Sequence, residues 1–229
     1  MPCVCLFVQE LKEAYRIAIL NQCICRKNFD CQHYPHDFGC IFLNANAVHA
    51  LESGIAHEAT LEEALAHVQE AAELGLMGAA DFVEGEQFIW NMRNDEMHEY
   101  RMFCFCCECC CLAMKVLKNS TKDISMRCAP VGWTATVNHE LCIGCQKCEP
   151  KCPQHCISFR EDGKCVIDQD KCVGCGFCKL ECGQGAIKIQ QTMPMRASLN
   201  EYYLAEARVD DRRAHAPATP SGLLDNANK

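Results

Sequence analysis

Cys142-Ile143-Gly144-Cys145-Gln146-Lys147-Cys148-Glu149-Pro150-Lys151-Cys152 and, thirty residues on, Cys172-Val173-Gly174-Cys175-Gly176-Phe177-Cys178-Lys179-Leu180-Glu181-Cys182 decide how this chain is read. Both follow C-x2-C-x2-C-x3-C, and their flanks repeat as well: Gly144 matches Gly174, Gln154 matches Gln184, and Ile157 matches Ile187. Self-similarity at a fixed period marks a duplicated unit. The spacing suits an iron–sulfur cubane, which needs four thiolates converging from different directions with backbone N–H groups turned toward its sulfurs. Gly144, Gly174 and Gly176 permit that close backbone approach. The competing reading is a pair of zinc knuckles, but zinc closes with four ligands from two pairs and has no use for eight cysteines in two quartets.

Between the runs, Cys156-Ile157-Ser158-Phe159 and Lys164-Cys165-Val166-Ile167-Asp168 alternate like short strands around Glu161-Asp162-Gly163, which predicts a hairpin. Cys156 stands where the other repeat has Ala186, so it reads as a small packed residue, and mid-strand Cys165 reads the same way.

The stretch from Val137 to Ile189 resembles the bacterial-type dicluster ferredoxin domain. Pro153 follows the first run as the family pattern asks, whereas Gly183 replaces proline after the second and can make the same turn. The resemblance implies two [4Fe-4S] clusters in a fold of short β-hairpins and two short helices. It also implies that the fourth cysteine of each run serves the other cluster. Cluster one would take Cys142, Cys145, Cys148 and Cys182, and cluster two would take Cys172, Cys175, Cys178 and Cys152.

At 229 residues the chain has room for two domains, and 49% hydrophobic residues suffice for ordinary cores. The 23 cysteines fall in metal-ligand spacings and their number is odd, which argues against a disulfide framework and for a reducing compartment. Glu10, Lys12, Glu13 and Arg16 interrupt the apolar residues near the start, so neither a signal peptide nor a membrane span is expected, and the cytoplasm is the expected location. A net charge of −8 disfavours nucleic acid as a partner and suits docking on a basic patch of a redox protein.

A second cysteine constellation precedes the repeat. It comprises Cys23 and Cys25 in Gln22-Cys23-Ile24-Cys25-Arg26, then Cys31 and Cys40, then Cys104-Phe105-Cys106-Cys107-Glu108-Cys109-Cys110-Cys111. Residues 15–20 read as a strand that delivers Cys23 and Cys25 into a loop, with alternate side chains facing one way. Helical spacing in the later run would group Cys106, Cys109 and Cys110, whereas an extended stretch would group Cys107, Cys109 and Cys111. The expected third Fe–S site uses Cys23, Cys25, Cys106 and Cys109, with Cys31, Cys40, Cys107, Cys110 and Cys111 as alternates. Thr60-Leu61-Glu62-Glu63 is a capping box that starts a helix with Leu61, Leu65, Val68 and Ala72 on one face and Gly75 at its end. A shorter helix is expected from Asn46 to Ser53, and a hairpin from residues 80–84 and 87–92.

Cys23-Ile24-Cys25-Arg26, Glu62-Glu63-Ala64-Leu65, Gly75-Leu76 and Cys106 through Cys111, followed by the dicluster segment, together resemble a group of 4Fe-4S binding proteins of anaerobes. That resemblance implies anaerobic electron transfer. The expected fold is α+β: a small α/β cysteine-rich domain over 1–125, a ferredoxin-like domain over 126–192, and a helix with a disordered tail over 193–229. The expected function is one-electron transfer between a donor and an acceptor protein, with no catalytic residue assigned. Two other classes are carried beside it: a small reductive enzyme with a substrate-binding cluster at the later cysteine run, and a zinc-, copper- or cluster-handling protein.

Overall fold

A computed structural model describes residues 4–81, 90, 92–93, 96, 99–119 and 132–194. The expected C-terminal helix and tail, and most of the hairpin expected over 80–92, lie outside the described residues.

The N-terminal half is built on an antiparallel sheet. Its strands are β1 (Ile17–Leu20), β2 (Ile41–Leu43), β3 (Ala56–Glu58), β4 (Met77–Asp81) and β5 (Arg101–Cys106), in the spatial order β3-β1-β2-β5-β4. The register places Ile17 opposite Leu43 and Ile19 opposite Ile41, while Ile41 in turn faces Phe103. These residues share one face and pack with Phe7 and Leu11 of α1 (Val4–Glu13) and with Ala64, Val68 and Ala71 of α4 (Leu61–Glu73). Ala18, Leu20, Phe42 and Met102 point to the other face and pack on Ala45, Ala47 and Ala50 of α3 (Ala45–Glu52). Strand side chains alternate between faces, so a sheet covered on both sides requires apolar residues at consecutive positions. All four residues of β1 are accordingly buried. Phe7 stacks on Phe103 with ring centroids 4.0 Å apart, and each such fully buried ring contributes about 1.5–3 kcal/mol.

The capping box forms as its sequence requires, with Glu63 N–H donating to Thr60 Oγ1 and Thr60 N–H donating to Glu63 Oε2. The buried face of α4 differs from the expected one. Ala64, Val68 and Ala71 turn inward while Leu61 and Leu65 flank them, because small side chains let the helix sit close against α1 and the sheet. After α4 the chain enters β4, whose partner is β5.

The expected extended loop after β1 is instead a one-turn helix, α2 (Ile24–Asn28). Cys23 caps it, its sulfur accepting from Arg26 N–H at 3.5 Å. The later run is neither wholly helical nor wholly extended. Cys104 and Cys106 end β5, residues 107–110 form a turn, and Cys111 precedes α5 (Leu112–Asn119).

Residues 132–194 form two small ribbons. β6 (Trp133–Val137) pairs with β9 (Ile187–Gln191), and β7 (Ile157–Phe159) pairs with β8 (Cys165–Ile167) as the expected hairpin. A 3-10 turn at Glu149–Lys151 and the short helix α6 (Phe177–Glu181) occupy equivalent places in the two repeats. Mixed α/β architecture is therefore present in both halves. Phe177 of α6 is buried in the core of the N-terminal sheet. Among the described residues no helix is long and apolar enough to cross a membrane.

Candidate metal centres

The ribbon half has few apolar residues with which to fill its centre. Its buried core consists of Ala135, Ile157, Ile167 and Ile187 together with Cys148, Cys152, Cys156, Cys165, Cys172 and Cys178. Two cysteine-lined hollows lie here. One is lined by Cys142, Cys145, Cys148 and Cys182. The other is lined by Cys172, Cys175, Cys178 and Cys152. In each hollow, three cysteines come from one run and the fourth from the other.

Backbone amides serve these sulfurs. Ala135 N–H donates to Cys172 Sγ at 3.3 Å, Cys156 N–H to Cys152 Sγ at 3.4 Å, and Cys165 N–H to Cys142 Sγ at 3.5 Å. Such contacts favour thiolate over thiol. The thiol of Cys156 adds to them, lying 3.3 Å from Cys152 Sγ and within hydrogen-bonding reach of Cys172, and its one proton, serving either sulfur in turn, is the largest influence pulling each of them down to about 6. Cys156 itself is pushed far up by the same two contacts. Cysteine quartets that do not close within 4.8 Å, with backbone amides donating to their sulfurs, fit a multi-iron group rather than a single ion.

Glycine is required where the loops crowd the rest of the domain. Gly174 has φ +67°, and a Cβ there would come within 2.2 Å of the Trp133 carbonyl oxygen. Gly144, its counterpart, has φ +71° and would meet the Gly163 carbonyl oxygen at 2.9 Å.

Cys156 and Cys165 were expected to be packing residues. Each is buried and lines a hollow as a fifth cysteine, Cys156 in the second and Cys165 in the first. Cys165 Sγ is 3.7 Å from Cys148 Sγ. The signal available in the sequence was their place: Cys156 comes four residues after Cys152, and Cys165 lies in the second strand of the hairpin, opposite Phe159.

The N-terminal cysteines divide into two sets. Cys31, Cys107, Cys109 and Cys110 have sulfurs all within 4.8 Å of one another. Cys31 Sγ is 3.6 Å from Cys109 Sγ, and Cys110 N–H donates to Cys107 Sγ at 3.4 Å. The other set is a chain of thiol contacts. Cys23 touches Cys25, Cys25 touches Cys111, Cys111 Sγ lies 3.0 Å from Cys106 Sγ, Cys106 touches Cys104, and Cys104 Sγ lies 3.5 Å from Cys40 Sγ. Hydrogen bonding with Cys106 and Cys25 holds the Cys111 thiol down to about 5. The expected quartet is thus split: Cys23, Cys25 and Cys106 belong to the chain, and Cys109 belongs to the compact group. The physical reason is the break in the later run, since a strand, a turn and a helix start point their side chains in different directions.

Arg26 ties this region together. Its guanidinium is fully buried and donates to the carbonyls of Pro35 at 2.8 Å, of Phe105 at 2.8 Å, and of Phe38. No carboxylate pairs with it among the described residues, and the Cys23 thiol beside it is pushed up by its hydrogen bond with Cys25 and by burial, which outweigh the opposing pull of Arg26.

Lys151, within the first ferredoxin run, joins the halves. Its ammonium hydrogen-bonds Glu108 of the cysteine-rich turn and lies 3.6 Å from Glu181 beside Cys182.

Residues 141–186 match the family model described as a 4Fe-4S dicluster domain. No curated protein matches the chain. The dicluster match and the cysteine geometry make this an iron–sulfur protein whose 141–186 segment holds two [4Fe-4S] clusters.

Proposed function

We propose that this chain is an electron-transfer protein that passes single low-potential electrons between two redox proteins. The carrying observation is the pair of hollows, each lined by three cysteines of one run and one of the other. When bound, [4Fe-4S] clusters supply one-electron redox chemistry at potentials set by hydrogen bonds to sulfur, charge and solvent exposure.

In this reading Cys142, Cys145, Cys148 and Cys182 ligate the first cluster, and Cys172, Cys175, Cys178 and Cys152 ligate the second. The crossing cysteines lock the two repeats at a fixed separation. Cys145 is exposed, with Leu141 and Ile143 exposed beside it, so the first hollow has the side open to a partner. Phe177, next to Cys178, packs into the N-terminal core, which turns the second hollow toward the cysteine-rich half. A net charge of −8 suits a partner with a basic docking face. A reducing, anaerobic setting and a cytoplasmic location accord with the abundance of free thiols.

The decisive experiment is Cys182→Ser, prepared anaerobically and compared with wild type by Mössbauer and EPR spectroscopy after low-potential reduction. The cluster bound by Cys142, Cys145 and Cys148 should be lost or converted, while the other spectrum persists. Loss confined to the Cys172-containing cluster rejects the crossing ligands, and a wild-type protein with no one-electron reducible signal rejects electron transfer.

A further inference from the structure

The compact group in the N-terminal half has a geometry unlike that of the two hollows. Four thiolates sharing one tetrahedral ion at a metal–sulfur distance of about 2.3 Å stand roughly 3.8 Å apart, by the geometry of the tetrahedron. The four thiolates of a cubane each bind a different iron, so the cluster core holds them farther apart. Cys31, Cys107, Cys109 and Cys110 lie within 4.8 Å of one another, and Cys31 and Cys109 are 3.6 Å apart. Among the described residues no other group of potential ligands is this tight. The two dicluster quartets do not close to that limit and instead line two separate hollows. The same structure therefore holds cysteines at two scales.

Local folding favours a closed site. Cys107-Glu108-Cys109-Cys110 has C-x2-C spacing at its ends, within the ligand spacings seen for structural zinc. The turn is set so that Cys110 N–H donates to Cys107 Sγ. Cys31 arrives from the loop after α2, held by Cys31 N–H donating to the Arg26 carbonyl at 2.9 Å. Cys31, Cys107 and Cys110 are buried, and four thiols gathered away from water gain little from one another, since S–H is a weak donor and sulfur a weak acceptor. The six-membered thiol chain from Cys23 to Cys40 lacks this closure, because its members touch in sequence and not all together.

We propose that Cys31, Cys107, Cys109 and Cys110 bind one tetrahedral ion, Zn2+ or Fe2+, with four thiolates and no bridging sulfide. The ion clamps the Cys31 loop onto the turn that carries Glu108. Glu108 reaches Lys151, and Lys151 reaches Glu181, so the clamp stands behind the contact between the two halves.

Metal and acid-labile sulfide analysis of the anaerobically purified full-length chain tests this. The expected result is about eight iron and about eight sulfide for the dicluster segment plus about one additional zinc or iron with no additional sulfide. If the added metal is zinc, X-ray absorption at the zinc edge should give a shell of about four sulfurs near 2.3 Å with no metal neighbour. Cys109→Ser should lose the added metal and keep the eight iron and eight sulfide, while Cys40→Ser should keep all of them. About four further iron with about four further sulfide would overturn the proposal, as would wild-type protein with no metal beyond the two clusters. The wild-type count decides even if a variant fails to fold, and the dicluster iron reports separately on the electron-transfer reading.

Discussion

Gln146 and Gly176 hold the same place in the two cysteine loops and share a left-handed backbone, with φ +61° and +88°. His155 and Gly185 form a second such pair, at +48° and +62°. The duplicated loop thus imposes one conformation on both copies, and only the second copy has glycine there to adopt it without a Cβ conflict.

Gln146→Gly should therefore stabilise the protein by about 0.5–1 kcal/mol, the left-handed penalty removed less the greater flexibility of unfolded glycine. The denaturant midpoint of the anaerobic holoprotein reads this directly. Gly176→Gln should move it the other way.

Cys156→Ala removes a thiol that hydrogen-bonds Cys152 and Cys172. With those residues as ligands of the second cluster, the lost hydrogen bond should lower that cluster's potential. One bond of about 1 kcal/mol corresponds to roughly 40 mV for a single electron. Redox titration followed by EPR measures it, and the first cluster should stay unchanged.

Arg26→Met should destabilise the N-terminal half by roughly 3–5 kcal/mol, because the carbonyls of Pro35, Phe38 and Phe105 would be left buried without donors. Arg26→Lys restores the charge but not the planar fork that reaches three carbonyls, so it should recover only part of the loss. Chemical denaturation followed by far-ultraviolet circular dichroism distinguishes the three proteins.

His67 should make stability fall on mild acidification. Its ring stacks on Phe38 with centroids 3.8 Å apart, and its Nε2–H donates to the Gly39 carbonyl at 2.8 Å. Burial holds its pKa below the ordinary histidine value, outweighing the opposing hydrogen bond to Gly39. The unfolded chain therefore takes up the proton first. The stability associated with neutral His67 is complete above about pH 6.5 and declines as pH drops toward the lower folded value. The wild-type denaturant midpoint should fall as pH drops below about 6.5, and His67→Gln should flatten that part of the profile.

Local chemistry was legible wherever neighbours in sequence are also neighbours in space. The cysteine spacing, the capping box at Thr60 and Glu63, and the hairpin around Gly163 needed no knowledge of the rest of the fold, since each is closed by contacts a few residues apart. The buried face of α4 was less legible, because which stripe turns inward depends on the shape of α1 and the sheet beneath it.

Sequence alone determined that residues 142–182 form a duplicated ligand loop, because the thiolates that wrap one face of a cluster come from adjacent turns of chain. It also determined that the upstream cysteines exceed the needs of ordinary packing. Tertiary structure decided how those upstream cysteines divide. Cys31 meets Cys107, Cys109 and Cys110 across more than seventy positions, because Arg26 pins its loop to the carbonyl of Phe105 and β5 ends at Cys106. A strand that stops inside a cysteine run sends successive thiols to different sides, and where it stops is set by pairing with β4, a contact that spacing along the chain does not encode.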